Sequence, residues 1–394
     1  MSTRKERRSQ EVFPPLIELD GVSRFYTARN DESWFKQDQI RAVDDLSLTI
    51  YEGETLGLVG ESGCGKSTLG KLIVGLEKPT SGTLSYRLRP YDKMSKEEWK
   101  EARTDLQMIF QDPYSSLNPR MRIYDTLSAP LLYHKIVEKS ELDKEVARLI
   151  ELVGLPKNSS QRYPHEFSGG QLQRLGIAAA LSLRPRLIVC DEPVSALDVS
   201  IQAQILKLLS DLQEELGFTY LFIAHGLAAV KYISDRIAVM YLGRIIEVAP
   251  AEELFKNPIH PYTQALITAS PIPHPDLQTD QDSLLRGEVP SNINPPSGCP
   301  FHPRCPLAED SCRQVRPELE FDGSVQQDGS CRAYRKSHCV ACPILLAENK
   351  AAREEGRAPK LAFDGALRTI NPNYLRDNLA STSTSTIGIS SAEK

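Results

Sequence analysis

The sequence predicts an α/β protein: a parallel sheet with crossover helices. Three observations carry this. "TLGLVG" (Thr55 to Gly60), "RLIVCDE" (Arg186 to Glu192) and "YLFIAH" (Tyr220 to His225) are near-continuous apolar runs, as expected of strands buried on both faces. Between the last two runs, Ile201, Ile205, Leu208, Leu212 and Leu216 recur at helical spacing. Gly217 follows, where a left-handed residue closes a helix. Strand and helix therefore alternate. With 394 residues, the chain has room for two or three domains.

The elements follow in order. Residues 1–14 read as a flexible arm. "LSLTI" (Leu46 to Ile50) alternates apolar and polar, the pattern of a half-buried strand. Residues from about 113 to 183 are helix-rich, and "SELDKEVARLIELVG" (Ser140 to Gly154) reads as a capped amphipathic helix. This stretch is expected to be a helical subdomain inserted in the α/β core. After about 255 the chain turns proline-rich and loses its periodicity. After about 346 it becomes polar and ends in "STSTSTIGISSAEK", a composition expected to be disordered. The reading is thus an arm (1–14), a core domain (15–255), a C-terminal extension (256–345) and a tail (346–394).

Bulk properties remove several classes of function. Net charge is 47 − 52 = −5, so no global field draws the chain to nucleic acid. No apolar run approaches the roughly 18 residues of a membrane span. The basic "MSTRKERRSQ" has no apolar stretch behind it, which argues against a secretory signal. The expectation is a cytosolic chain that can still sit on a membrane protein.

The chemistry begins at "GESGCGKST" (Gly60, Glu61, Ser62, Gly63, Cys64, Gly65, Lys66, Ser67, Thr68). It fits G-x-x-x-x-G-K-[ST] and follows a strand, the context that motif needs. Its glycines let backbone N–H groups cradle a phosphate, with a helix N-terminus behind them. Lys66 supplies a point charge to the β/γ-phosphates, and Ser67 offers a hydroxyl to Mg²⁺. The bland alternative is a glycine-rich turn with a stray lysine. In "LIVCDEP", Asp191 ends a buried strand and can place a carboxylate beside Mg²⁺. The adjacent Glu192 suits a general base that polarises the attacking water. Alone, the two acids could be surface groups on a loop. Cys64 reads as filler in a tight turn and Cys190 as core. "FSGGQLQR" (Phe167 to Arg174) sets a serine and two glycines before a helix-forming run, a second cradle for phosphate. One ATP does not need two cradles from one chain, so the second one points to a site on another subunit.

"SGGQ" (Ser168, Gly169, Gly170, Gln171) between a P-loop and a "DEP" strand resembles the signature of the ATP-binding cassette (ABC) family. The resemblance implies a P-loop NTPase core of RecA-like parallel sheet plus an antiparallel β subdomain, with an inserted helical subdomain. It implies ATP and Mg²⁺ as ligands, Mg²⁺ being held by Ser67, Gln111 and Asp191. Gln111, in "IFQDP", matches the glutamine that touches Mg²⁺ and water and senses the transport domain. Asp198, in "SALD", matches the loop that crosses the dimer interface. His225 matches the histidine that contacts the γ-phosphate. Tyr26, in "VSRFY", matches the aromatic that stacks on adenine, with Phe25 as the alternative. Gly226 stands where the family commonly has aspartate after that histidine.

"CDEPVSALDVSIQAQIL", "NPIHPYTQALITASPIP" and "GEVPSNINPPSGCPFHPRCP" are similar to ATP-binding subunits of the oligopeptide/dipeptide (peptide/nickel-type) importers, over roughly residues 15–335. This implies a subunit that energises peptide import at the cytoplasmic face of the cell membrane. Its expected partners are a second, related cassette in a head-to-tail pair, two transmembrane permeases, and a solute-binding protein acting through the complex, with no nucleic acid. Importers of nickel or glutathione share these segments and stay open as alternatives. So does a soluble ABC ATPase, although such proteins would need two cassettes, a coiled coil or zinc modules within the cassette.

The cysteines are read last. Cys299, Cys305 and Cys312 are spaced C-x₅-C-x₆-C, with eighteen residues before Cys331. In a cytosolic chain a disulfide knot is disfavoured, and zinc ribbons favour C-x₂-C pairs. Wide, uneven spacing near proline suits an iron–sulfur cluster wrapped by a loop. Subfamily members that this chain resembles carry a [4Fe–4S] cluster at such cysteines, which implies Cys299, Cys305, Cys312 and Cys331 as ligands. Cys339 and Cys342, in "CVAC", could replace Cys331, bind separately, or be two free thiols. His134, His274 and His338 give no ligand pattern.

Overall fold

A computed structural model of the chain describes residues 14–29, 37–269, 287–322 and 337–355. The expected N-terminal arm up to 13, Cys331, His274 and the tail beyond 355 lie outside these residues.

Among the described residues, twelve strands form two sheets. They are β1 (Pro15–Arg29), β2 (Gln37–Tyr51), β3 (Thr55–Val59), β4 (Ser81–Tyr86), β5 (Arg89–Pro90), β6 (Leu106–Ile109), β7 (Leu187–Asp191), β8 (Thr219–Ile223), β9 (Arg236–Tyr241), β10 (Arg244–Pro250), β11 (Glu320–Phe321) and β12 (Cys339–Val340). The smaller sheet has the order β2-β1-β4-β5 and is antiparallel. The larger has the order β11-β12-β10-β9-β3-β8-β7-β6. From β9 to β6 its neighbours run parallel.

The apolar runs owe their continuity to two cores. Along β7 and β8, Leu187, Val189, Leu221 and Ile223 enter the core shared with the small sheet and the helix Lys66–Ile73. Ile188, Cys190, Tyr220 and Phe222 point the other way, into the core shared with the helices. Successive strand residues face opposite sides, so a strand covered on both faces must be apolar at every position.

Between β6 and β7 lie the helices Pro113–Ser116, Ile123–Tyr133, Leu142–Leu152 and Gly169–Ser182. The third differs from the sequence reading at its start. Ser140 does not cap it; a 3₁₀ turn at Lys139–Glu141 leads in, and Glu141 makes no side-chain cap bond. Burial of Leu142, Val146, Leu149 and Ile150 holds it instead. The helix Val199–Leu216 closes at Gly217, which has φ 74° as expected. Its core face is Ile205, Leu206, Leu209 and Leu212, while Leu216 is 40% exposed. The predicted stripe was rotated, because Leu206 and Leu209 were passed over.

The extension is knitted into the larger sheet. β12 pairs antiparallel with β10, setting Val248 opposite Cys339, and β11 adds beyond it. The expected tail begins too early. A helix spans Pro343–Glu354 and buries Leu345 and Leu346 against Ile259 and Val340. Two adjacent leucines that find an apolar partner hold this segment in place. Among the described residues, no helix is long and apolar enough to cross a membrane.

Candidate nucleotide site

β3 delivers its chain end to the P-loop, and the helix Lys66–Ile73 starts directly after it. Two glycines are sterically required. A Cβ on Gly60 would lie 2.2 Å from the Met240 carbonyl oxygen. One on Gly65, whose φ is 108°, would lie 1.9 Å from that of Ala42. The loop is thus pressed between β9 and β2, and its backbone turns into a tight ring. Lys66 is buried and donates from Nζ to the carbonyl oxygens of Gly60 (2.8 Å) and Glu61 (3.0 Å). The ammonium therefore lies across the mouth of the loop. Cys64 is 3% exposed, and burial pushes its thiol up despite Lys66 nearby. Like Cys190, also driven up by burial, it behaves as core.

The strands carry the other groups to the same edge. Ser67 Oγ donates to Asp191 Oδ1 at 2.9 Å. Burial raises the Asp191 carboxyl above its ordinary range, opposed by the Ser67 bond. A desolvated carboxylate beside a hydroxyl suits a hard cation that takes oxygen ligands, with phosphate oxygens completing the shell. Ser67 and Asp191 therefore fit the Mg²⁺ role chemically.

Glu192 sits one residue past β7 with φ 48°, a conformation uncommon outside glycine. The turn is held by Glu192 N–H to the Ile223 carbonyl (3.0 Å) and by Ser195 Oγ to the Glu192 carbonyl (3.1 Å). It turns a 6%-exposed carboxylate toward two partners. Gln111 Nε2 donates to one oxygen at 2.9 Å, and His225 Nε2 lies 2.6 Å from the other. Gln111, Glu192 and His225 come from three separate chain segments and meet at one carboxylate. Gly226 does not prevent this contact. Asp198 is exposed at the N-terminus of the helix Val199–Leu216.

The signature is elsewhere. Ser168 caps the helix Gly169–Ser182 through a reciprocal pair with Gln171. Gly170 packs on Ile201, which a Cβ would strike at 2.6 Å. Among the described residues, no hydrogen bond or ion pair joins Ser168–Gln171 to the P-loop. Tyr26 lies on β1 with its hydroxyl bonded to Glu77 and the Arg24 guanidinium 4.6 Å from its ring centre. Arg41 lies 5.8 Å from the Phe25 ring. Each ring already has a cation near it.

Glu61 is placed differently from the sequence reading. Its N–H donates to Tyr262 Oη (2.8 Å), and its carboxylate takes Arg304 in a two-pronged pair (2.8 and 3.1 Å). Both groups are turned outward, to the extension. Sequence reasoning missed Tyr262 and Arg304. His338, which gave no ligand pattern in the sequence, is fully buried with Nε2 at 2.7 Å from Glu247.

The thiols only partly follow expectation. Cys299 N–H donates to the Cys312 carbonyl at 2.8 Å, closing the loop that holds Cys305. Burial raises Cys299, lifts Cys305 to about 11 and lifts Cys342 to about 12, with Cys305, Cys299 and Cys312 adding charge pressure on Cys342. Cys342 is a fourth free thiol of the extension. Cys339 is disulfide-bonded, so "CVAC" is neither a pair of free thiols nor a zinc pair. Among the described residues, no three His, Cys, Asp or Glu side chains are arranged to hold a metal ion. Among the described residues, the side chains of Cys299, Cys305, Cys312 and Cys342 are not gathered as the ligands of an iron–sulfur cluster would be.

A P-loop closed by a buried lysine, an Asp–Ser pair and a glutamate gripped by Gln and His define a nucleotide-hydrolase site on a cassette-type α/β fold. Residues 43–195 match the family model for ABC transporters, and residues 246–312 that for the oligopeptide/dipeptide transporter C-terminal region. The oligopeptide transport ATP-binding protein OppF of Salmonella typhimurium is 52% identical over 80% of this chain and 95% of its own. The di/tripeptide transport ATP-binding protein DppF of Pseudomonas aeruginosa is 48% identical over 72% of this chain and 87% of its own. Among solved structures, a dimeric ATP-binding cassette in a post-hydrolysis state with ADP and Pi aligns with TM-score 0.53 and 27% identity, over 60% of this chain and 99% of that one. The chain belongs to the ABC transporter ATP-binding family, in the branch that carries the oligopeptide/dipeptide C-terminal region.

Proposed function

We propose that the chain binds and hydrolyses MgATP to energise import of oligopeptides or dipeptides. The observation that carries the catalytic reading is the convergence of Gln111 and His225 on Glu192, beside the Ser67–Asp191 pair. In this reading the P-loop backbone and Lys66 hold the phosphates, with Ser67, Asp191 and Gln111 around Mg²⁺. Glu192 takes a proton from the attacking water, which a carboxylate already oriented by two partners can do without reorganising. His225, 43% exposed along its side chain, would reach the γ-phosphate from its place beside Glu192. Tyr26 or Phe25 would stack on adenine once Arg24 or Arg41 moves aside.

Ser168–Gln171 has no partner in its own chain's P-loop, which favours service to a second cassette in a head-to-tail pair, with Asp198 at the junction. ATP contacts made only in the closed pair would bias it shut, and hydrolysis would release it. The segment between β6 and β7 would pass that motion to two permease subunits near Gln111. A solute-binding protein completes the assembly, with this chain peripheral on the membrane. The peptide assignment leans on the relatives' names. A peptide library that leaves ATP turnover of the assembled transporter at baseline, while nickel or glutathione raises it, would reassign the cargo. Failure of permeases to co-purify would defeat the transporter reading.

A [4Fe–4S] cluster at Cys299, Cys305 and Cys312, with Cys331 or Cys342 as fourth ligand, belongs to the same proposal. The spacing of the cysteines supports it; the side-chain geometry of the described residues does not. No step of ATP chemistry is routed through it. Iron and acid-labile sulfide in anaerobically purified protein test it, and a colourless, iron-free protein rejects it.

A further inference from the structure

We infer that the C-terminal extension is part of the nucleotide site's framework, and that Arg304 is a positioning residue for the P-loop. This rests on the ATPase reading above. Three contacts made by side chains beyond residue 260 converge on one turn of that loop. Tyr262 Oη accepts the Glu61 N–H (2.8 Å), Arg304 clamps the Glu61 carboxylate (2.8 and 3.1 Å), and Asn292 Nδ2 donates to the Gly63 carbonyl (2.9 Å). Asn292 also accepts from Arg41 N–H at 3.0 Å, which ties the same turn to β2.

The clamp is built rather than incidental. Arg304 is 5% exposed along its side chain and reaches Tyr241 Oη as well. Phe301, three residues earlier, is 1% exposed, with its ring centre 5.4 Å from that of Tyr241 and 5.5 Å from that of Tyr262. This aromatic anchor fixes where the guanidinium starts, and the planar fork fixes how it meets the carboxylate. Removing one partner would leave the other charge desolvated and unpaired.

The physical consequence concerns order. A loop with glycines at 60, 63 and 65 has much conformational freedom to lose on gripping a phosphate. Contacts that hold Glu61 and Gly63 beforehand reduce that loss and tighten binding without touching the ligand. The extension thus acts on nucleotide affinity from behind the loop.

The test measures MgATP affinity of the full-length chain, and KM and kcat of the assembled transporter. Arg304→Ala should weaken MgATP about tenfold and raise KM more than it lowers kcat, the scale of one charge-assisted pair. Arg304→Lys, which keeps charge but not the fork, should recover part of this. Glu61→Ala should weaken binding similarly, and the double variant should be no worse than either single one. Arg313→Ala, which removes an exposed arginine from the same segment, should bind as wild type. A melting point lowered by Arg304→Ala with unchanged MgATP affinity would reduce the clamp to plain stability and overturn the inference. Where Arg304→Ala fails to fold, Asn292→Ala decides: about threefold weaker binding supports the inference, and wild-type binding overturns it. Lys66→Ala separates the two levels. If it abolishes binding while Arg304→Ala does not weaken it, only this inference falls; if it binds as wild type, the ATPase reading falls and takes the inference with it.

Discussion

The nucleotide face and the C-terminal extension are built on opposite principles. At the nucleotide face, the chemistry lies in short continuous segments: nine residues from Gly60 to Thr68, and the neighbours Asp191 and Glu192 at one strand end. Backbone geometry places them, and buried strands hold them rigid. The described residues of the extension form short elements and rely on single long-range contacts. Arg304 meets Glu61 across 243 positions, and His338 meets Glu247 across 91. The contrast teaches that a phosphate cradle can be encoded locally, whereas the brace behind it cannot.

The first way to break the comparison is at the cradle. Lys66→Ala should weaken nucleotide binding by ~10²-fold or more, since it removes a buried point charge placed for the phosphates. Calorimetry on the full chain checks this, and unchanged affinity would remove the P-loop from its role. Next is the anchor of the extension. Phe301→Ala opens a cavity among Tyr241, Tyr262 and His260, and should cost about 3–5 kcal/mol in thermal unfolding. A loss near zero would mean that the extension is held elsewhere.

A third prediction concerns pH and two buried histidines. His260 is lowered to about 4 by burial, and its Nδ1 accepts the Tyr262 N–H, which requires a neutral ring. Its contribution to stability is full above the ordinary 6.5 and is lost as pH falls toward 4. His338 goes the other way. Burial works against its charge, but the Glu247 hydrogen bond and charge raise it above 6.5. Its contribution is full below 6.5 and is lost as pH rises through the raised value. Docking of the extension should therefore be strongest near pH 6.5. Melting curves across pH check this; His338→Asn should flatten the alkaline side alone. The smallest effect is expected at Gly226, where an added Cβ would meet nothing within 4 Å. Gly226→Asp should fold normally and change ATP turnover by no more than about threefold, because His225 already reaches Glu192.

Legibility followed the same divide. The apolar strands, the P-loop motif and the Asp191–Glu192 pair could be read because each is a pattern of residues close in sequence. Even there the helix Val199–Leu216 was rotated, since a spacing pattern cannot choose between two overlapping apolar stripes. Glu61 falls inside the P-loop motif, yet its N–H and carboxylate both face the extension. His338 offered no pattern, because its partner Glu247 comes from a different strand. The thiols show the limit most plainly: spacing grouped Cys299, Cys305 and Cys312, but where Cys342 lies depends on how β12 docks on β10.

The central claim is that Glu192 is the general base of an ATPase. Its most direct test is ATP binding and single-site turnover measured together for Glu192→Gln in the assembled transporter. The account predicts wild-type MgATP affinity with turnover lowered at least ~10²-fold. Near-normal hydrolysis by Glu192→Gln would contradict it.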